Sequence, residues 1–516
     1  MNVLIINLTR FGDLIQTQPV IAGFKSRGHR VGLVCLSNFA SAVGLLRGVD
    51  RVFAFPGAGL LSGLDRDWRL AVRDLSGFRQ AVFDDFLPDE IVNLTPSVSS
   101  RLLAYGLTPE GGRAVGFTVD EFGFNADTST WAAFLQLAGA NRGASPFNIC
   151  DLFRKAAGLG REGNGPALAA PDEAALARAD ELLAAQGGAG KGFAALQLGA
   201  SEERRRWPVA YFRETARKLF ARDGLVPVLL GTGSEAGLGA RFAEGADFPF
   251  IDCIGKTSLT ELAAVLSRCR VLLTNDTGTM HLAAGLNVPL CAVFLATAQP
   301  WDTGPYRAGN ICLEPDMDCH PCAFGNNCPH DEACRRAVTP EALYACAVAL
   351  LRGVDPEVVP GPRIWRTRTG ADGFMELQSL SGHDGSDRAV WIALQRAHFA
   401  AFLDGGIGAA PTGLGARLGP AMREELSKTL TSARDMLFLL SQQGALLRVN
   451  PRPQAKAKFL ASWQRVQNIL SSNNYLNILA LLWMFESQRQ GEDLASLLSV
   501  AERYLGLLTA LSDDLA

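Results

Sequence analysis

The sequence predicts an α/β protein of two doubly wound, mostly parallel sheets followed by an α-helical region. Three observations lead there. Strand-like and helix-like runs alternate through the first third of the chain, alternate again from residue 193, and give way to helical periodicity alone beyond residue 388. With 516 residues, 48% hydrophobic and 20% charged, the chain has room for about three domains of roughly 150 residues.

In order, strands are expected near 2–7, 31–36, 52–55, 81–83 and 90–94, with helices between them, which is the pattern of βαβ units. A Gly- and Pro-containing break at 162–166 closes this first domain, 1–165. Pro171 starts an Ala- and Glu-rich helix over 172–186, ended by the glycines of 187–190. The second series has strands at 193–198, 226–230, 250–253, 271–273 and 290–294, with helices at 209–222, 235–244 and 259–267. It makes a second domain, 171–360, containing a cysteine-rich loop at 312–334. Residues 361–387, rich in Gly, Arg, Ser and Asp, read as a linker. Helices at 389–403, 421–441, 456–470, 476–488 and 493–511 then form a helical extension, 388–516. Phe459, Trp463, Val466 and Leu470 recur at helical spacing and read as the core of a small bundle.

Two strand-to-helix turns stand out. The apolar run 271–273 leads into Thr274-Asn275-Asp276-Thr277-Gly278-Thr279-Met280-His281, and the run Val3-Leu4-Ile5-Ile6 leads into Asn7-Leu8-Thr9-Arg10-Phe11-Gly12-Asp13. A strand that ends in a Gly, Thr and Asp turn and restarts as a helix leaves free N–H groups and a positive dipole end at one point, where a phosphate fits. Asp13 projects from the carboxyl end of the first strand, where open α/β sheets place their chemistry. Two such turns predict two sheets facing across a cleft.

Composition narrows the function. A net charge of −3 offers no basic excess for nucleic acid. The amino terminus enters a strand at once, without a charged region, apolar region and cleavage site, and the longest apolar runs, 478–484 and 290–296, fall short of the roughly 20 residues that span a bilayer. The expectation is a cytoplasmic protein with at most peripheral membrane contact.

Other phosphate motifs fit less well. Gly190-Lys191 imitates the end of a P-loop, but Ala185 stands where its first glycine belongs and Gly192 where Ser or Thr should follow. Gly231-Thr232-Gly233-Ser234-Glu235, with Asp252 beyond, imitates a dinucleotide fingerprint but follows the second strand of its sheet rather than the first.

Of eleven cysteines, Cys35, Cys150, Cys253, Cys269 and Cys291 lie singly, several in apolar runs, as small hydrophobes. The others cluster, and Cys319-His320-Pro321-Cys322 with Cys328 and Cys334 has the composition of a closed four-thiolate site for a structural zinc or iron, with His320 and His330 as reserve ligands. Reduced or paired thiols in a surface loop fit the same spacings.

Gly12-Asp13 after the first strand, Leu198-Gly199-Ala200-Ser201 leading to Arg205-Arg206-Trp207-Pro208, the turn at 231–235, and Asn275 to Ala284 occur in an order that resembles glycosyltransferase family 9, the ADP-heptose:lipopolysaccharide heptosyltransferases. Val288-Pro289, Phe294 and the stretch 300–306 continue the likeness, which covers roughly residues 1–355. The resemblance implies a GT-B fold: two Rossmann-like domains facing across a cleft, acceptor on the first, nucleotide-sugar on the second, inversion at the anomeric carbon and no cofactor required for catalysis. It implies donor-binding roles for Ser201, Arg205, Arg206, Glu235, Asp276, Thr277, Gly278, Thr279 and His281. The family usually has Lys in the 205–206 segment, so two arginines leave open which one faces the phosphate. A similar cysteine-containing loop recurs in relatives, some of them protein-modifying heptosyltransferases with a structural iron.

The residue chemistry is compatible with that picture. An ionised Asp13 can take the acceptor hydroxyl proton, although an Asp there also serves as a helix N-cap. The N–H groups of Thr277, Gly278 and Thr279 are aimed to meet the leaving diphosphate, and Arg205 or Arg206 can add a bidentate contact. Glu235 is placed to accept from ribose hydroxyls or to cap its helix. His281 suits a phosphate, the sugar or a buried hydrogen bond, and Asp276 suits ligand contact or holding its own loop. Three classes of function follow: transfer of heptose or a related sugar from ADP-heptose to a lipopolysaccharide core or similar glycan; the same transfer to a protein; and a nucleotide- or NAD-binding Rossmann protein without transferase activity. The helical extension, outside the resemblance, suggests intramolecular docking, self-association or a partner.

Overall fold

The structure, a computed structural model, describes residues 1–64, 66–141, 143–160, 167–184, 192–490 and 493–516. The break at 162–166, the glycines of 187–190 and the P-loop-like Gly190-Lys191 lie outside the described residues.

Five short strands form the first sheet, β1 (Asn2–Asn7), β2 (Arg30–Leu36), β3 (Arg51–Phe55), β4 (Glu90–Asn93) and β5 (Arg113–Gly116), of which β1, β2 and β4 are buried along nearly their whole length. All pair parallel, in the order β3-β2-β1-β4-β5. Leu4, Ile6, Val34 and Ile91 pack with Val82 of helix Trp68–Asp85, with its C-cap Phe86, and with Leu103 and Leu107 of helix Val98–Leu107. Each such side chain, fully withdrawn from water, contributes about 1.5–3 kcal/mol. Residues 81–83, expected as a strand, lie inside helix Trp68–Asp85. Phe78, Val82 and Phe86 meet the core at a spacing of four, so helical periodicity decided over a short apolar run.

The second sheet has eight strands: β6 (Phe193–Gln197), β7 (Val226–Leu230), β8 (Ile251–Asp252), β9 (Cys269–Asn275), β10 (Leu290–Val293), β11 (Ile311–Pro315), β12 (Pro362–Thr369) and β13 (Met375–Ser379). Their order is β13-β12-β11-β10-β9-β6-β7-β8, parallel from β8 to β11 and antiparallel at the β11, β12 and β13 pairings. The stretch 361–387, expected as a linker, therefore supplies a β-hairpin at the sheet edge. Its arginines gave the impression of a loop, yet Arg363, Arg366 and Arg368 pair with Asp316, Asp355 and Glu376 while Ile364, Trp365 and Thr367 are buried.

By contact density the chain divides into two compact units, Met1–Asn125 with Asn148–Ser381, and Ala126–Phe147 with Gly382–Ala516. Both sheets belong to the first. The second is helical, and it takes in helix Thr130–Leu137, which the sequence reading counted with the first domain. Trp131 Nε1 donates to Asp404 Oδ1 at 2.7 Å, and Asn141 Nδ2 donates to Gln395 Oε1 at 2.8 Å, bonds that join the insertion to helix Asp387–Leu403 and the turn after it.

Within this unit the 30-residue helix Pro420–Val449 buries Met422, Leu426, Leu430, Ala433, Leu437, Leu440 and Gly444, a four-and-three spacing like a coiled-coil seam. A β-carbon on Gly444 would lie 2.3 Å from Leu498 Cδ2, so glycine lets helix Leu494–Leu515 approach closely. Phe459, Val466 and Leu470 are buried, and Trp463 stacks on Trp483 with ring centroids 4.0 Å apart. Among the described helices, Leu494–Leu515 has the length and composition of a membrane span. Its Tyr504, Leu507, Leu508 and Leu511 are buried within the helical unit.

Candidate active site

The first turn is built on Asn7, the last residue of β1 and 1% exposed. Its Nδ2 donates to the Asp13 carbonyl at 3.1 Å and to Thr17 Oγ1 at 2.7 Å, while its Oδ1 accepts from the Thr9 N–H at 3.2 Å. The loop is thereby wrapped around one side chain, and the short helix Phe11–Ile15 starts with the Asp13 carboxylate accepting from the Arg10 N–H at 3.4 Å. Burial pushes the Asp13 carboxyl above the usual carboxylate range. His281, the Arg10 N–H, Thr9 and the Arg10 charge pull the other way without cancelling it.

The second turn is built the same way on Asn275, the last residue of β9. Its Nδ2 donates to the carbonyls of Leu198 and Gly199, each at 3.0 Å, and its Oδ1 accepts from the Trp207 N–H at 2.9 Å. Helix Gly278–Gly285 follows, with Thr277 as N-cap. Thr279 Oγ1 donates to Gln197 Oε1 at 3.0 Å. His281 is 7% exposed, and burial lowers its pKa to about 4 against the opposing pull of Asp13, so the imidazole is neutral near pH 7. Its Nδ1 is buried without a hydrogen-bond partner among the described residues.

The two turns touch. A β-carbon added to Gly12 would lie 3.2 Å from Gly278 Cα and 3.3 Å from His281 Cδ2, and one added to Gly278 would lie 2.7 Å from Phe11 Cδ1. Glycine on both sides leaves room for this approach, which brings Asp13 of the first sheet within electrostatic reach of His281 of the second.

Around the second turn, β6, β7 and β9 are neighbours and end together. Crevices beyond the carboxyl ends of strands, where successive connections leave to opposite sides, are where open α/β sheets hold ligands. Arg205 donates through Nη2 to Asp276 Oδ2 and through Nη1 to Ser201 Oγ at 3.2 Å. Thr303 Oγ1 also reaches Asp276 Oδ2, at 3.4 Å. Arg206 instead turns its Nε to the Ala200 carbonyl at 3.2 Å. The two arginines, equivalent by sequence, are thus separated: Arg205 joins Ser201 and Asp276, and Arg206 serves its own loop. Glu235 accepts from the Thr232 N–H at 2.8 Å through Oε2, closing its turn, and a β-carbon on Gly199 would overlap its Oε1 at 1.4 Å. Gln197 sits between the Glu235 and Thr279 side chains. The floor therefore combines hydroxyls, the Arg205 guanidinium paired with Asp276, the Glu235 carboxylate and the helix N–H groups of Thr277, Gly278 and Thr279, of which the guanidinium and the N–H groups can meet an anion.

The cysteines do not assemble as expected. Cys319 is exposed, Cys322 and Cys328 are partly buried, Cys334 is buried, and all are free thiols. Among the described residues no group of three or more His, Cys, Asp or Glu side chains converges to hold a metal ion. Competing contacts explain it. The Cys334 thiol takes a hydrogen bond from the Ala296 backbone, and His320 is buried with Nδ1 3.5 Å from Glu314 Oε2. His330 is exposed, its N–H directed to Cys328 Sγ at 3.4 Å. Burial raises the Cys322 and Cys334 thiols, and the neighbouring cysteines raise them further.

Residues 148–332 match the sequence model described as glycosyltransferase family 9 (heptosyltransferase). The match to glycosyltransferase family 9 thus spans roughly a third of the chain. Lipopolysaccharide heptosyltransferase 1 of Pseudomonas aeruginosa is 35% identical over 116 residues, 22% of this chain and 32% of that protein. Lipopolysaccharide heptosyltransferase 2 of Escherichia coli is 30% identical over 94 residues, 17% and 27% of the two. The chain thus matches about a third or less of the length of these curated relatives. Among solved structures, a glycosyl transferase family 9 protein from Veillonella parvula superposes with a TM-score of 0.52 at 19% identity, over 68% of this chain and 97% of that one. The E. coli ADP-heptose lps heptosyltransferase II superposes at 0.50 and 17% identity, over 68% and 99%. This chain has the α/β architecture of the GT-B fold, two doubly wound sheets, together with a helical unit.

Asn7, Asn275 and Gln197 were not singled out from the sequence, although each organises the site. A signal was present for the first two: both turns are preceded by an Asn closing a strand, so the same device occurs twice.

Proposed function

We propose that this chain is an inverting glycosyltransferase that moves heptose, or a closely related sugar, from ADP-heptose to a lipopolysaccharide core or similar glycan. The observation that carries the reading is the contact of the Gly12-Asp13 turn with the Gly278-His281 turn, which sets a half-buried carboxylate opposite a floor suited to a diphosphate.

In this reading Asp13 accepts the proton of the acceptor hydroxyl as that oxygen attacks the anomeric carbon of the donor. The bond from that carbon to the diphosphate oxygen breaks on the opposite face, which inverts the centre, and ADP leaves with the bonding electrons. Burial raises the Asp13 pKa, and a more basic carboxylate is the stronger proton acceptor. The N–H groups of Thr277, Gly278 and Thr279 and the Arg205 guanidinium receive the charge that grows on the diphosphate. Glu235 receives the ribose hydroxyls through the oxygen facing Gly199. Neutral His281 lies between base and donor, where its unpartnered Nδ1 can meet a sugar hydroxyl. Arg206 supports the turn rather than the ligand. No cofactor is needed for this displacement, and a cytoplasmic location belongs to the same proposal.

The test is mass spectrometry of a heptose-deficient core oligosaccharide incubated with ADP-heptose. Addition of one heptose with release of ADP supports the reading. Transfer to protein substrates alone would move the acceptor assignment, and stabilisation by NAD rather than ADP would replace the reading altogether.

A further inference from the structure

The segment bearing the clustered cysteines touches two loops at the carboxyl end of the second sheet. Arg335 Nε donates to the Arg206 carbonyl at 3.0 Å, and Arg335 is itself held by Glu332, Nη1 to Oε2 at 2.6 Å. Arg204 Nη1 donates to the Asn326 carbonyl at 2.8 Å while its Nε binds Glu202 at 2.8 Å. Three successive arginines thus divide the work: Arg204 binds the cysteine segment, Arg205 binds Asp276, and Arg206 binds its own loop and lends its carbonyl to Arg335. The second loop is gripped at Ala296, a non-glycine residue at φ 53°. The Cys322 N–H donates to its carbonyl at 2.8 Å, and its own N–H meets the Cys334 thiol. A left-handed alanine persists only where surrounding bonds over-determine it, and here both its backbone groups are engaged by one segment.

We infer that the cysteine-bearing segment is a clamp on the Ser201–Arg206 turn, with Arg335 as its principal positioning residue. The turn is held on its sheet side by Asn275 to the Trp207 N–H, and on its outer side by Arg335 and by Trp207 Nε1 donating to Val338 at 2.8 Å. Removing Arg335 frees the Arg206 carbonyl and lets Arg205 drift from Asp276, although Arg335 touches no part of the donor floor. The inference deepens the proposal above, because this turn is the one assigned there to the donor diphosphate.

Two readouts test it, one of them free of any ligand. In Arg335→Ala, amide hydrogen exchange over 201–207 in the ligand-free protein is expected to accelerate. ADP should bind about tenfold more weakly, the worth of one charge-assisted hydrogen bond, and donor kcat/KM should fall by at least as much, because Arg205 also meets the charge that grows on the diphosphate. Arg335→Lys should recover part of the affinity, and Glu332→Gln, which only loosens Arg335, should move both readouts the same way by less. Unchanged exchange over 201–207 in folded Arg335→Ala, or in Glu332→Gln should the first variant not fold, would overturn the clamp. Wild-type protein that ignores ADP would overturn the donor assignment instead, and the exchange arm would still decide the clamp.

Discussion

Gly12 and Gly278 lie back to back, so close that a β-carbon on Gly278 would stand 2.7 Å from Phe11 Cδ1 and 3.3 Å from the Gly12 nitrogen. One contact between the turns of two sheets thereby fixes the distance from Asp13 to the donor floor. Gly278→Ala should lower stability by about 1–3 kcal/mol through overpacking. A displacement of about 1 Å at the reacting centre can cost about a hundredfold in turnover. Urea melts and turnover assays check both. Gly77→Ala, in mid-helix with open space around the new carbon, is the control and should stabilise by about 0.5–1 kcal/mol.

His281 predicts a specific acid limb. Its pKa is lowered to about 4 in the fold from 6.5, so the native state binds fewer protons than the unfolded chain between those values. Stability from this group is complete above pH 6.5 and is lost as pH falls toward 4, a change of about 3 kcal/mol at most. Asp13, raised by burial, has the opposite sign and favours the fold at the acid end of that window. Denaturant melts from pH 7 to 4 should show the slope in wild type and a flatter curve in His281→Gln.

Arg205 and Arg206 should differ although they are neighbours. Arg205→Ala removes the cation facing Asp276 and should weaken ADP binding by about ten- to a hundredfold, since hydrogen bonds to charged groups are worth about 1.5–3 kcal/mol. Arg206→Ala leaves that cation in place and should change the calorimetric dissociation constant much less.

In the helical unit, Leu437 is fully buried in the long seam of helix Pro420–Val449. Leu437→Ala should lower stability by about 2–5 kcal/mol, the range for opening a cavity at a packed leucine, as read by urea denaturation.

The parts of the fold legible in the sequence were those with strong apolar runs. β1, β7 and β9 announce themselves because both faces of a parallel strand are buried and the side chains are nearly all Val, Ile and Leu. β12 was hidden because its arginines find partners in Asp316, Asp355 and Glu376, information held in other segments. β5 and β11 are short and begin beside Gly112 and Asn310, so a local window reads them as loop. Within the site, Asp13 and the 276–281 turn were visible because turn chemistry is local. The separation of Arg205 from Arg206 was not, since it depends on Asp276, brought close only when β9 pairs with β6. The cysteine spacing fitted a metal site, but Ala296, far from Cys334 in sequence, and Glu314, on the strand before the segment, contact Cys334 and His320.

The most direct measurement is heptose transfer by wild type and by Asp13→Asn, run beside an ADP titration of both proteins. The account predicts that wild type transfers heptose from ADP-heptose. The variant should bind ADP equally and lose about 10²- to 10⁴-fold in turnover, the usual contribution of a general base. Near-normal turnover in Asp13→Asn, or transfer by neither protein with no binding of ADP, would contradict it.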